Sequence, residues 1–186
     1  MIKFYVVLLL FPFLAVSVGA QENPAIDKEY IILKTGNKKV ALGNIKRGDY
    51  NFKNKVYDEA LSYYLKLYQH VTDHSPLNYK IGVSALYGTN PQKALHYLLA
   101  VTPETAADYY LQLGKAYQEN RIYQKANEAY NSYIEALPLS QKKMVADEVR
   151  QLMSECEFAR TMANDSLPVF IINLGPNVNS FYDEYA

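Results

Sequence analysis

The residues of this chain that could do chemistry are few, and their spacing keeps them apart. His70 and His74 stand four residues apart, the separation at which two imidazoles on one helix face can hold a metal ion. No Glu follows His70 as in H-E-x-x-H, Cys156 is remote, and Ser75-Pro76 breaks the helical pattern just after His74. Both are therefore expected to be solvated histidines, His96 is expected to be structural, and no metal site is expected. Asp58-Glu59 and Asp183-Glu184 are adjacent carboxylate pairs. Adjacent residues on a helix do not face each other, and acid–base catalysis needs carboxyls converging on one site. Both pairs read as solvated charge. Cys156 is the single cysteine, so no internal disulfide can form. It falls in the apolar period Val149, Leu152, Met153, Cys156, Ala159, between Glu155 and Glu157. A reactive thiol needs an electropositive, exposed setting, so a small buried hydrophobe is the better reading. No G-x-S-x-G, P-loop or dinucleotide fingerprint occurs. The expectation is a protein that is not an enzyme and uses no cofactor.

The frame that must carry these residues is set by length and composition. A chain of 186 residues is expected to make about one domain. Nineteen basic and nineteen acidic residues cancel. That balance gives no electrostatic reason to expect nucleic acid or an anionic membrane as the main partner. Tyr is abundant at 18 and Trp is absent. Tyr suits helix–helix seams, where the ring packs and the hydroxyl reaches water or a carbonyl.

Residues 1–20 read as a secretory leader. Met1-Ile2-Lys3 is a short positive start, Phe4 to Val18 is an uncharged apolar run, and Val18-Gly19-Ala20 offers small residues before Gln21. The run is short for a membrane span of about 20 residues. No Cys follows it, as a lipoprotein would require. The mature chain is expected to start at Gln21, outside the cytoplasm.

Residues 21–37 form a lead-in. Asn23-Pro24 could cap a helix that Gly36 stops, while Tyr30-Ile31-Ile32-Leu33 could instead be a strand. From Lys38 a repeat frame begins. Gly48, Gly82 and Gly114 are spaced 34 and 32 residues apart, and each is followed twelve residues later by Ala60, Ala94 and Ala126. The expected helices are 38–53 with 56–71, 76–88 with 91–101, and 106–119 with 122–136. Small residues at the Gly and Ala positions let paired helices approach closely. Ser140 can cap a last helix to about Met162, with Met144, Val145, Val149, Leu152, Met153, Cys156 and Ala159 on one face. Such a helix would close the open apolar end of a stack. Residues 164–186 change texture, with a β-rich run at Pro168 to Ile172 and then turn-formers from Asn173 to Ser180.

Tyr110, Leu113, Gly114, Tyr117, Ala126, Tyr130 and Pro138 fall on aromatic-x2-Leu-Gly-x2-Tyr, then Ala-x3-aromatic, then Pro. This resembles the tetratricopeptide (TPR) signature, with Tyr for Trp and for Phe. The resemblance implies an all-α helical-hairpin solenoid of about three repeats plus a terminal helix at 38–163, with a short β-like C-terminal tail. The tail, Asn173-Leu174-Gly175-Pro176-Asn177-Val178-Asn179-Ser180 followed by Tyr182-Asp183-Glu184-Tyr185-Ala186, resembles the TPR-to-propeller junction of bacterial OmpA-family envelope proteins. Some of that group serve type IX secretion and gliding. It implies that 164–186 is a linker and the start of a β-propeller. Peptidoglycan binding would belong to an OmpA-like domain absent from these residues, in a longer protein or one of which this is a truncated relative. Asp165-Ser166-Leu167 resembles the Asp-Ser/Thr-apolar O-glycosylation motif of related bacteria, making Ser166 a candidate modification site.

A TPR superhelix is lined by first-helix positions. Counted from each repeat Gly these are Ile45, Asp49 and Phe52, then Tyr79, Val83 and Leu86, then Leu111, Lys115 and Gln118. They lack the Lys/Asn/Arg-rich set of domains that clamp a peptide carboxylate. Phe52, Tyr79 and Lys115 are the expected partner contacts, with packing between repeats the plainer reading of the two aromatics. The expected role is a periplasmic protein–protein interaction scaffold associated with the outer membrane or a secretion assembly. The alternative is an accessory subunit of a peptidoglycan-remodelling enzyme complex.

Overall fold

The first described helix is capped by Asp27, whose side chain accepts the Tyr30 N–H at 3.0 Å. Helix α1 runs Lys28–Thr35 and stops at Gly36, which takes φ 66° and returns its N–H to the Ile32 carbonyl. The sequence placed the cap at Asn23-Pro24. The structure instead leaves 23–27 outside any helix, with Pro24 and Ile26 buried. The strand reading of Tyr30 to Leu33 is overturned. A strand would put Ile31 and Leu33 on one face, yet Ile31 is buried and Leu33 is 77% exposed. The structure, a computed structural model, describes residues 23–164. Expectations for the leader, for Ser166 and for the tail at 165–186 lie outside the described residues.

All secondary structure among the described residues is helical. Asn37 caps α2 (Lys38–Lys53) by accepting the Val40 N–H at 3.1 Å. Then come α3 (Tyr57–Tyr68), α4 (Ser75–Leu86), α5 (Ala94–Leu98), α6 (Tyr109–Glu119), α7 (Tyr123–Ala136) and α8 (Leu139–Asn164). Pro91 and Pro103 each open a three-residue 3-10 turn, Pro91–Lys93 and Pro103–Thr105. The first turn shortens the helix expected at 91–101, and the helix expected at 106–119 begins only at Tyr109. Pro lacks an N–H and fixes φ, so it suits a first turn and ends whatever precedes it.

Consecutive helices pack as pairs, α2 on α3, α4 on α5 and α6 on α7. The three repeat glycines mark the crossings. A Cβ on Gly48 would lie 2.5 Å from Tyr64 Cε1, and one on Gly82 would lie 2.6 Å from Leu98 Cγ. One on Gly114 would meet the Tyr130 ring equally hard. Each partner stands four residues after Ala60, Ala94 or Ala126, one turn along the second helix, and all three alanines are fully buried. The turn after α2 satisfies its last carbonyls through Lys55 at φ 60°, with Val56 N–H to Asn51 and Lys55 N–H to Phe52. Arg121 at φ 59° repeats this after α6, with Ile122 N–H to Tyr117 and its own N–H to Gln118.

Helix α8 packs on α7. A second apolar cluster there joins Ala126, Tyr130, Val149 and Cys156. Burial, and then Glu155, pushes the Cys156 thiol pKa up, the environment of an unreactive cysteine. No helix among the described residues is long and apolar enough to cross a membrane.

Candidate partner-binding face

The first helices α2, α4 and α6 are joined to one another by polar bonds. The first join is Asp49, one residue past Gly48. Its Oδ1 accepts from the Tyr64 hydroxyl at 2.8 Å and from Lys80 Nζ at 2.6 Å. The Lys80 side chain is 5% exposed and that of Asp49 41%. The ammonium also lies 5.7 Å from the Phe52 ring centre and 5.9 Å from that of Tyr64. Burial, reinforced by Asp49, raises the Tyr64 phenol well above its ordinary value. It stays a neutral donor.

The second join is a chain of hydrogen bonds that runs from core to surface. The Tyr79 hydroxyl donates to Asp108 Oδ1 at 2.6 Å, and Gln112 Nε2 donates to Asp108 Oδ2 at 2.6 Å. The Tyr87 hydroxyl donates to Gln112 Oε1 at 3.0 Å, and Lys115 Nζ donates to the Tyr87 oxygen at 3.0 Å. Asp108 is buried, so its charge is met by two donors inside the protein. At the outer end Tyr87 is 43% exposed, and its ring lies 5.3 Å from that of Tyr57. Tyr57, Tyr87 and Lys115 thus offer two aromatic rings and one cation at the surface, held from below by Gln112 and Asp108.

Of the contacts expected from sequence, only Lys115 is reachable. Phe52 is buried, edge-on to Tyr57 and Tyr64, and Tyr79 is 1% exposed with its hydroxyl on Asp108. As direct partner contacts they are corrected to core residues. Phe52 stands four after Gly48 and Tyr79 three before Gly82. They therefore share the helix face on which those glycines meet the second helix. Ile45 and Leu86 are buried for the same reason, and Gln118 accepts from the Tyr130 hydroxyl at 2.7 Å. The position one past the glycine is turned about 100° away; Asp49 and Lys115 there are partly exposed, while Val83 after Gly82 is buried. Tyr57, Tyr87 and Gln112 were missed. Tyr87 sits at the C-terminus of α4 and Gln112 two before Gly114, places that a count of three or four from the glycine skips.

The expectation for His74 is corrected as well. His70 is exposed, but His74 is buried and begins α4. Its Nδ1 lies 3.2 Å from the Leu77 nitrogen and its Nε2 3.3 Å from the Asp27 nitrogen, while its ring stacks on Tyr30 at 5.7 Å. A neutral imidazole has one acceptor nitrogen, so it serves one of these N–H groups at a time, and a protonated ring serves neither. Burial lowers the His74 pKa below 6.5, against the opposing pull of Asp27 and Asp73. The unfolded chain therefore takes up a proton at higher pH than the fold does. Stability is fully present above about pH 6.5 and falls as pH drops through the interval down to the folded value. Thermal melts should show this loss as pH falls below about 6.5, and His74→Asn, which keeps a cap acceptor without titrating, should flatten it. A variant with the unchanged pH slope would remove His74 as its source.

Asp58 is likewise more than solvated charge. Its Oδ1 accepts from the Thr89 N–H at 2.9 Å and the Thr89 hydroxyl at 3.0 Å, tying α3 to the turn after α4. Among the described residues no three metal-binding side chains come together. Comparison of the chain with protein-family models, with curated proteins and with solved structures finds no match.

Proposed function

We propose that this chain is a TPR-type scaffold exported to the bacterial periplasm, where it holds a protein partner in an envelope assembly. The observation that carries this reading is the outward end of the second polar chain. Tyr57, Tyr87 and Lys115 form a partly exposed aromatic–cation cluster that is anchored from the core, with Tyr57 packed edge-on to Phe52 and Tyr87 43% exposed. Preordered aromatics of this kind give affinity at low entropic cost. The repeated Gly–Ala frame and its crossings at Tyr64, Leu98 and Tyr130 support the TPR assignment. The leader-like residues 1–20 support export, and the tail resemblance supports an outer-membrane or secretion-associated setting.

A photoreactive amino acid in place of Tyr87 or Lys115 tests the reading in the exporting cell. One discrete crosslinked protein is expected from both positions and none from Glu128, which is exposed on α7. Equal capture from Glu128, or no capture from either cluster position, overturns it. A captured peptidoglycan hydrolase would make the chain that enzyme's accessory subunit.

A further inference from the structure

The neutral total charge of the chain conceals a strongly basic face on α2. Lys39, Gly43, Lys46, Tyr50 and Lys53 recur every three or four residues and form one exposed stripe, with Arg47 and Val40 along its edge. The stripe is about 21 Å long at 1.5 Å per residue. The only acid of this helix, Asp49, is already bound to Lys80. None of Lys39, Lys46, Arg47 and Lys53 is in an ion pair among the described residues. The ion pairs there are Lys80–Asp49, Arg150–Asp147 and Arg160–Glu157. Arg47 lies 5.8 Å from the Tyr63 ring centre, and Lys66 of α3 approaches the same ring at 4.9 Å, which widens the basic area. Tyr50 is 69% exposed and Val40 50%. Gly43 has nothing within 4 Å of where a Cβ would stand, and with Lys46, Arg47, Tyr50 and Asn51 it lines an open hollow of about 390 Å³.

We propose that this face of α2 docks the protein on an anionic lipid surface. A bilayer presents negative charge smeared over a plane, and a convex helix bearing four flexible, unpaired cations meets such a plane along its whole length. Tyr50 and Val40, set among the cations, are the residue types that enter the headgroup region while lysine stems snorkel around them. An acidic protein segment would be better matched by fixed, partly buried donors, whereas the cations Lys39, Lys46, Arg47 and Lys53 are all exposed and the hollow among them is open. The contact is peripheral, spans nothing, and is turned about 100° from Asp49 around the helix.

Vesicle co-sedimentation tests it, using the form that begins at Gln21, which retains every described helix. Vesicles of equal parts phosphatidylglycerol and phosphatidylethanolamine should bind the protein, and phosphatidylcholine vesicles should not. Binding should weaken steeply as salt shortens the reach of the charges. Lys46→Glu with Arg47→Glu should lower it by about thirtyfold or more, the weight of two surface cations. Tyr50→Ala should lower it further. A matched reversal on α8, Lys142→Glu with Lys143→Glu, should leave most of it. Equal binding to the two vesicle types, or equal losses from the α2 and α8 reversals, overturns the proposal. So does tight binding to soluble polyglutamate with none to the anionic vesicles, which would make the face a site for acidic protein.

Discussion

Gly43→Ala should stabilise the protein and Gly48→Ala, five residues along the same helix, should destabilise it. Both glycines lie inside α2, where glycine is worse than alanine by about 0.5–1 kcal/mol because it loses more backbone freedom. At Gly43 the new methyl meets nothing within 4 Å, so the full gain is expected. At Gly48 it would stand 2.5 Å and 2.8 Å from two ring carbons of Tyr64. That ring is fully buried, and its hydroxyl is tied to Asp49 at 2.8 Å, so it cannot swing aside without giving up the bond. Overpacking of this kind costs about 1–3 kcal/mol. Gly114→Ala should behave like Gly48→Ala, because the Tyr130 ring is as buried and its hydroxyl is held by Gln118 at 2.7 Å. Gly82→Ala should be milder, since Leu98 has no hydroxyl to hold its rotamer. Urea unfolding of the four variants checks the pattern. Equal shifts at Gly43 and Gly48 would mean that the helix pairs do not cross at the repeat glycines.

That contrast also shows what the sequence made legible. The spacing of Gly48, Gly82 and Gly114 with Ala60, Ala94 and Ala126 located the crossings, because close approach of two helices admits only small side chains. The same spacing did not say which neighbours of each glycine face inward. Residues three or four from a crossing glycine share its face, and Phe52 and Tyr79 therefore became core. His74 was illegible for another reason. Its packing against Asp27 and Tyr30 joins residues more than forty apart, and no local pattern carries that contact. The basic face of α2 was hidden by summation. Asp49 offsets its neighbours in a charge count, yet its carboxylate is committed to Lys80, thirty-one residues away.

Asp49→Ala should be among the most damaging single changes outside the apolar core. The carboxylate accepts from Lys80 and Tyr64 together, and Lys80 is almost wholly enclosed while Asp49 is not. Removing Asp49 leaves an ammonium and a phenol hydroxyl with no acceptor in a buried place. Stripping one partner from such a pair costs about 3–5 kcal/mol, because the remaining charge has lost its compensation. Lys80→Met should be much gentler. It removes the buried charge, fills the space over Phe52 and Tyr64 with a flexible apolar chain, and leaves an Asp49 that still reaches water and still binds Tyr64. The double variant Asp49→Ala with Lys80→Met should then regain most of the stability lost by Asp49→Ala alone. A double-mutant cycle followed by thermal unfolding reads this directly. If the two single changes cost the same and simply add, the pair is not coupled, and the join between α2 and α4 must rest on Phe52, Tyr64 and their apolar neighbours instead.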